Sequence, residues 1–218
     1  MKRESDATAL AENLPGSRQL AWMGRRSVRR YLPHPIARDV IDSLLEAAVT
    51  APSAHNRQPW RFAVVSSLAN KTTLARAMGE QLRKDRQRDR DACADIEADV
   101  ARSFARITGA PTLVVVCLDM QDMDVYPDAL RNRHEHQMAV QSTAMAGQNL
   151  MLAADALGLG ACWLCAPMFC PDVVREALGL PAGWEPQGMI TLGYPAGPPK
   201  PFVRKPVSEV TLRLDDEA

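Results

Sequence analysis

Hydrophobic residues recur along the chain with two different spacings, and these spacings predict where helices and strands lie. A helix is expected over residues 35–50, where apolar side chains repeat every three or four positions: Ile36, Val40, Ile41, Leu44, Leu45 and Ala48. Residues 112–118 form instead a continuous apolar run, which is typical of a central strand covered on both faces.

The same reasoning predicts the remaining elements. Further helices are expected over residues 71–107, 137–157 and 171–178, and further strands over 60–66, 161–166, 188–193 and 207–214. The helix over 137–157 is apolar nearly all round, so it is either buried or packed against a partner subunit. Because long helices precede most strands without regular βαβ alternation, the predicted fold class is α+β, with a central mixed or antiparallel sheet flanked by helices.

Length and composition indicate a globular protein. A chain of 218 residues suits a single domain over 17–218, after a loose arm over 1–16, with a short helix around 17–24. Because 26 basic residues balance 26 acidic ones, we expect neither a nucleic-acid nor a membrane partner. Five cysteines and the absence of a secretory leader lead us to expect free thiols in a reducing cytoplasm.

Three arginines surround a serine near the start of the chain: Arg25, Arg26 and Arg29 around Ser27. Guanidinium groups this close together repel one another unless something anionic lies between them. They bind phosphate through paired hydrogen bonds, and a hydroxyl with nearby backbone N–H groups completes an anion-binding cradle. Taken alone, the motif fits a solvated basic turn more simply than a phosphate site.

A second cluster follows the first predicted helix. Pro52, Ser53 and Asn56 form a loop that carries a hydroxyl and an amide, and Trp60 and Phe62 anchor it to the next strand. An amide is both donor and acceptor, which suits the edge of a flat heterocycle with alternating N–H and C=O groups. The alternative is a turn whose asparagine caps the next element.

Together the two clusters match a known pattern. It consists of R-R-S-x-R-x-[YF], a proline-containing helix ending in L-L-E-A-A-x-x-A-P-S, and N-x-Q-P-W-x-F. Later segments G-L-G-A-C-W and L-G-Y-P, and the basic pair Arg204-Lys205, also fit. Over residues 25–212 the chain resembles the FMN-dependent nitroreductase superfamily.

The resemblance implies a homodimeric, intertwined flavoprotein with FMN at the subunit interface. Arg25, Arg26 and Ser27 would hold the phosphate and ribityl chain, Arg29 would lie near the N1–C2 edge of the flavin, and Arg204 would close on the phosphate. Pro52, Ser53 and Asn56 would come from the other subunit, and backbone around Leu164 and Cys165 would approach flavin N5. Because the flavin carries the chemistry, no catalytic acid or base is expected, and NAD(P)H is the expected reductant.

A narrower likeness concerns the acceptor. R-R-S-V-R-R-Y, V-V-x-C-L, Y-P-D and F-C-P-D-V-V-R-x-A-L resemble the C-terminal reductase domain of the bifunctional enzymes that make coenzyme F-420, which reduces a dehydro precursor of the deazaflavin. The stretch from Asn56 to Trp60 keeps the general nitroreductase form instead. The alternatives are a general NAD(P)H nitro, quinone or enone reductase, a flavin-cleaving or dehalogenating enzyme, and a non-catalytic flavin or deazaflavin binding protein.

Several other motifs favour structural roles. Cys162 and Cys165 have C-x-x-C spacing but lie in an apolar, extended run, so we expect core thiols. His134 and His136 would diverge on a helix, so a polar helix start is favoured and no metal site is expected. The basic run over 83–90 fits a self-paired, solvated helix face, or else a lid over the flavin. His55 and Asp85 are weak candidates for substrate contact.

Overall fold

A four-stranded sheet forms the centre of the computed structural model, which describes residues 24–198 and 203–214. The strands are β1 (Trp60–Val65), β2 (Thr112–Asp119), β3 (Gly160–Leu164) and β4 (Trp184–Gly193). They are arranged in the order β1-β2-β4-β3, and each neighbouring pair is antiparallel. The predicted arm over 1–16, and all but the last residue of the short helix around 17–24, fall outside the described residues.

Six α-helices accompany the sheet in the described ranges: α1 (Arg38–Val49), α2 (Leu68–Arg88), α3 (Cys93–Thr108), α4 (Ala129–Ala156), α5 (Pro171–Leu178) and the single turn α6 (Val207–Val210). Two short 3-10 helices, Ala54–Asn56 and Ala166–Phe169, lie in the connections. The helical region predicted over 71–107 is two helices, because the chain reverses at Arg90, where φ is 64°. Charged residues of the predicted solvated face then pair between α2 and α3, as Arg83 does with Glu97 at 2.7 Å.

The central strand β2 is covered on both faces, as its continuous apolar run predicts. Val114 and Val116 pack into a core with residues of α1 and α4. Leu113, Val115 and Cys117 point to the opposite face, where α2, α3 and α5 supply the second core. Since successive side chains of a strand alternate between faces, one uninterrupted apolar strand can build two cores at once.

The long helix α4 begins two turns before its predicted start. Asp128 caps it by accepting a hydrogen bond from the Arg131 backbone N–H at 2.9 Å. The extra turns bring Glu135 into the helix, where only 2% of its surface is exposed. Nowhere in the described parts of the chain does a helix combine the length and apolarity needed to cross a bilayer.

The prediction of a terminal strand over 207–214 is wrong. Val207–Val210 is a helical turn, and the residues that follow find no ladder partner among those the structure describes. A strand gains its stability from a neighbouring strand, which sequence periodicity cannot supply. The apolar side chains of this segment are exposed instead, with Val207 at 71%, Leu212 at 82% and Leu214 at 84%.

Candidate functional site

The arginine cluster lies along the β3 edge of the sheet. Ser27 forms a bridge with Ala161 of β3, and the Val28 N–H donates to the Ala161 carbonyl at 3.0 Å. Gly160 permits this approach, because a Cβ at that position would lie 2.6 Å from Val28 Cγ1. The segment is therefore fixed to the sheet by its backbone.

Tyr31 provides a second attachment for the same segment. Its hydroxyl lies 2.5 Å from the Val28 carbonyl oxygen and 2.7 Å from Thr191 Oγ1 of β4. Burial raises the pKa of Tyr31 far above its ordinary value, so the phenol stays neutral. The hydroxyl thus links the backbone of the arginine segment to the interior of the sheet.

A cavity of about 950 Å³ opens beside this segment. Ser27, Arg29 and Arg30 line one wall, Arg102 and Arg106 of α3 line another, and residues 196–198 complete it. A volume of this size accommodates a cofactor-sized molecule. Four guanidinium groups line this cavity, and although Arg102 pairs with Asp99, the others give it positive charge that favours an anionic ligand.

Arg25 carries a further indication that this region binds an anion. Its Nη1 is buried and has no hydrogen-bond partner among the described residues. A buried guanidinium N–H without an acceptor is costly, so an acceptor is expected there. Arg26 behaves differently, since its Nη1 donates to the Gly24 carbonyl at 2.9 Å.

Sequence reasoning missed Arg102 and Arg106, because the charged region over 71–107 reads as a solvated helix face. One sequence feature does separate Arg106 from its neighbours. No acidic residue stands three or four positions from Arg106, whereas Arg102 follows Asp99 by three and pairs with it. The unbalanced charge of Arg106 could therefore have been noticed, but its position on the cavity could not.

The second predicted cluster lies at the other edge of the sheet. The loop that contains Pro52, Ser53 and Asn56 leads into β1, at the opposite edge of the sheet from β3. The Ala54 N–H donates to Ser142 Oγ of α4 at 3.4 Å, which holds the loop on that helix. Three strand spacings of about 4.8 Å separate the two edges by about 14 Å. One chain therefore keeps the two predicted halves of the site apart.

This loop has an unusual backbone. His55, Asn56 and Gln58 adopt positive φ angles of 50°, 54° and 52°. Residues with a Cβ rarely adopt this conformation, and such strain is concentrated at functional sites. The Ser53 hydroxyl accepts a hydrogen bond from the Gln58 N–H at 3.0 Å, which holds the loop in shape, and the Asn56 amide is exposed.

The remaining predicted site residues are spread around the β3 edge and the C-terminal segment. Leu164 ends β3 and is half-buried, Cys165 follows it and is exposed, and Arg204 is exposed beyond the last strand. The prediction of core thiols holds for Cys162, which is buried. It is wrong for Cys165, because β3 ends one residue earlier and the chain turns outward.

The two weak candidates for substrate contact differ in their surroundings. The Asp85 carboxylate accepts from Gln81 Nε2 at 2.9 Å and pairs with Arg88 at 3.8 Å, so it belongs to the self-paired face of α2. His55 is exposed on the strained loop, within 4.8 Å of the carboxylate oxygens of Asp124 and Glu135.

The arrangement of helices around this antiparallel sheet is a nitroreductase-like fold. A structure from Desulfovibrio desulfuricans, described as a nitroreductase in complex with FMN, shares 27% identity and a TM-score of 0.70, covering 91% of this chain and 97% of that one. A structure from Parabacteroides distasonis, described as an NADH dehydrogenase/NAD(P)H nitroreductase, shares 26% identity and a TM-score of 0.65, covering 89% and 96%.

Sequence relationships define the family. The model of the nitroreductase family matches residues 22–194, and the chain belongs to this family of oxidoreductases. It is 32% identical to a protein named NADH dehydrogenase from Thermus thermophilus, with 88% of this chain and 93% of the relative covered. It is 30% identical to an NADH dehydrogenase/NAD(P)H nitroreductase of Methanothermobacter thermautotrophicus, covering 80% and 75%.

Proposed function

We propose that this chain binds FMN in the arginine-lined cavity and reduces a conjugated small-molecule acceptor at the expense of NAD(P)H. The observation that carries the proposal is the cavity of about 950 Å³ with its four arginines. Arg25, two residues before the cavity-lining Ser27, adds a buried Nη1 without a partner among the described residues. A phosphate-bearing cofactor supplies an acceptor oxygen for Arg25 Nη1 and negative charge for the arginines of the cavity. The FMN complex of the Desulfovibrio relative and the NADH-related names of other relatives agree with this choice.

The residues of this chain would divide the work of binding. Arg25, Arg26 and Ser27 would hold the phosphate and ribityl chain, with Arg204 closing on the phosphate. Arg29 and Arg106 would supply positive charge to the cofactor from two walls of the cavity. When bound, FMN supplies the two-electron transfer chemistry, and the chain contributes orientation and electrostatic stabilisation.

The proposed site needs a second copy of the chain. Pro52, Ser53 and Asn56 lie at the sheet edge opposite the arginine cluster, so they would contact the FMN of a partner subunit. Exposed apolar side chains are available to cover such an interface: Met145 of α4, Phe169, Val207, Leu212 and Leu214. We therefore propose a homodimer whose C-terminal segment, 203–214, packs against the partner.

Cofactor binding can be tested directly. Purified protein should show the absorption bands of oxidised flavin, either as isolated or after addition of FMN. Losing one charge-assisted hydrogen bond costs about 1.5–3 kcal/mol, so Arg29→Ala and Arg106→Ala should each weaken FMN binding roughly 10- to 100-fold. Arg38→Ala is the matched control, because Arg38 is an exposed arginine of α1. A wild-type protein that never binds FMN would refute the proposal.

The shared site can be tested by complementation. The double variant Arg25→Ala/Arg29→Ala and the variant Asn56→Ala each damage both sites of a homodimer. Two differently tagged copies can be co-expressed and the heterodimer isolated. If the halves come from different subunits, one of its two sites is native and recovers wild-type FMN affinity. If each site lies within one chain, every site keeps one lesion and no native site appears.

Turnover identifies the reaction. We expect anaerobic NADH or NADPH to bleach the flavin, and a nitroaromatic, quinone or enone to restore its colour, in a ping-pong pattern. A dehydro precursor of coenzyme F-420 belongs in the same screen, since only sequence motifs favour it. If no nicotinamide reduces the bound flavin and no acceptor reoxidises it, the chain is a flavin or deazaflavin binding protein instead.

A further inference from the structure

Three side chains with metal-ligand chemistry converge where the strained loop meets α4. They are His55 of the loop, Asp124 of the connection before α4, and Glu135 of α4. Their ligand atoms all lie within 4.8 Å of one another, and no other such group of three occurs among the residues that the structure describes. His55 is exposed, Asp124 is partly buried and Glu135 is buried, so the group extends from an exposed imidazole to a buried carboxylate.

Glu135 is the residue that requires a ligand. It is 2% exposed, and its Oε2 has no hydrogen-bond partner among the described residues. A buried carboxylate oxygen without a donor or a cation carries the full cost of its lost hydration. Burial, the charge of Glu135 and a side-chain hydrogen bond with Glu135 all raise the pKa of the neighbouring Tyr126, yet Oε2 of Glu135 has no partner among the described residues.

Among the residues that the structure describes, one cationic side chain pairs with this group, so the group keeps a surplus of negative charge. The Arg57 guanidinium binds Asp124 Oδ1. Two carboxylates and one guanidinium sum to one negative charge. A carboxylate offers about four lone-pair positions, so Asp124 can hold Arg57 through one oxygen and a metal ion through the other.

We propose that His55, Asp124 and Glu135 bind a divalent transition-metal ion, with Zn²⁺ as the best match. One imidazole nitrogen and two carboxylate oxygens form a ligand set that zinc accepts, with water in the fourth position. Ligands at about 2.0–2.2 Å from zinc stand about 3.4 Å apart in a tetrahedron, so the side chains must close by roughly an ångström. The ion would join the strained loop to α4 and satisfy Glu135.

Direct metal binding tests the proposal without reference to flavin. The probes are Zn²⁺, followed by calorimetry, and Co²⁺, followed by its visible absorption, on tag-free protein. We expect one ion per chain. Glu135→Gln and His55→Ala should each weaken binding by at least about 10-fold. His134→Ala is the matched control, because His134 neighbours Glu135 on the same helix outside the group, and it should leave the affinity unchanged.

Two outcomes would overturn the proposal. One is the absence of stoichiometric Zn²⁺ or Co²⁺ binding to the wild-type protein. The other is binding that survives both His55→Ala and Glu135→Gln, or that falls equally in His134→Ala, since the ion would then lie elsewhere. Circular dichroism establishes that Glu135→Gln is folded. His55 is exposed on a loop, so His55→Ala keeps the test valid even where the buried substitution unfolds the protein.

Discussion

Tyr31 offers a test of how the arginine segment is attached to the sheet. Replacing it with phenylalanine removes one hydroxyl and leaves the ring in place. The hydroxyl lies 2.5 Å from the Val28 carbonyl oxygen, 2.7 Å from Thr191 Oγ1 and 3.1 Å from the Thr191 carbonyl oxygen. Thr191 Oγ1 keeps a second contact, to the Cys162 carbonyl at 3.4 Å, so the Val28 carbonyl is the group left without its partner.

The magnitude follows from that count of lost partners. A buried acceptor left unsatisfied costs about 1–3 kcal/mol, and we expect Tyr31→Phe to lower the free energy of unfolding by about 2 kcal/mol. In a domain of this size 1 kcal/mol shifts Tm by about 2–4 °C, so Tm should fall by about 4–8 °C. Because Val28 lies between Ser27 and Arg29, FMN affinity should weaken as well.

Urea unfolding and flavin fluorescence titration measure the two effects. Thr191→Val and the double variant complete a double-mutant cycle, in which groups in contact show a coupling of about 0.5–3 kcal/mol. If Tyr31→Phe keeps the wild-type Tm, or if the two substitutions are strictly additive, the hydroxyl does not hold this segment. Loss of stability with unchanged FMN affinity would separate the attachment from the cofactor site.

Three further predictions concern stability. Gly188→Ala places a Cβ 2.6 Å from the Trp163 ring, so it should cost about 1–3 kcal/mol in urea unfolding, and Trp163→Phe should recover part of that loss. Burial raises the pKa of Cys117 to about 12 and of Cys170 to about 11 from an ordinary 9.0, so stability should fall as pH rises above 9.0. Each thiol lowers the free energy of unfolding by up to about 1.4 kcal/mol per pH unit in that range. Cys117→Ala should remove the contribution of Cys117 to this pH dependence. Arg83→Ala breaks an exposed pair and should leave the midpoint of urea unfolding unchanged within error; a clear fall in the midpoint would contradict a solvated pairing.

The elements that sequence predicts well are those fixed by local patterns. The bounds of α5 agree with the predicted range, since a proline starts the helix and Gly179, with φ 62°, ends it. The two-faced burial of β2 follows from its uninterrupted apolar run. Both results depend on neighbours in the chain, so no knowledge of distant contacts is needed.

Features that depend on distant contacts were not predictable in this way. Arg106 joins the cavity only because α3 turns back beside the arginine segment, and a helix periodicity does not reveal that. Glu135 looks like part of a polar helix start, yet it is buried because α4 begins earlier than its apolar pattern suggests. The wrong terminal strand has the same origin, since pairing requires an edge that lies outside the segment itself.

Charged side chains that pair within the chain can be distinguished from those that have a buried atom without a partner. The chain has equal numbers of acidic and basic residues, and α2 and α3 show that it can pair them, as Arg83 does with Glu97. Within the described residues, Arg25 Nη1 and Glu135 Oε2 are nevertheless buried without partners. Arg25 and Glu135 do not pair with each other, because Arg25 lies in the segment at the β3 edge and Glu135 lies on α4 near the loop before β1. Because a buried polar atom without a partner lowers the stability of the chain alone, both atoms are best explained by groups that bind from outside it: an anion beside Arg25 and a cation beside Glu135.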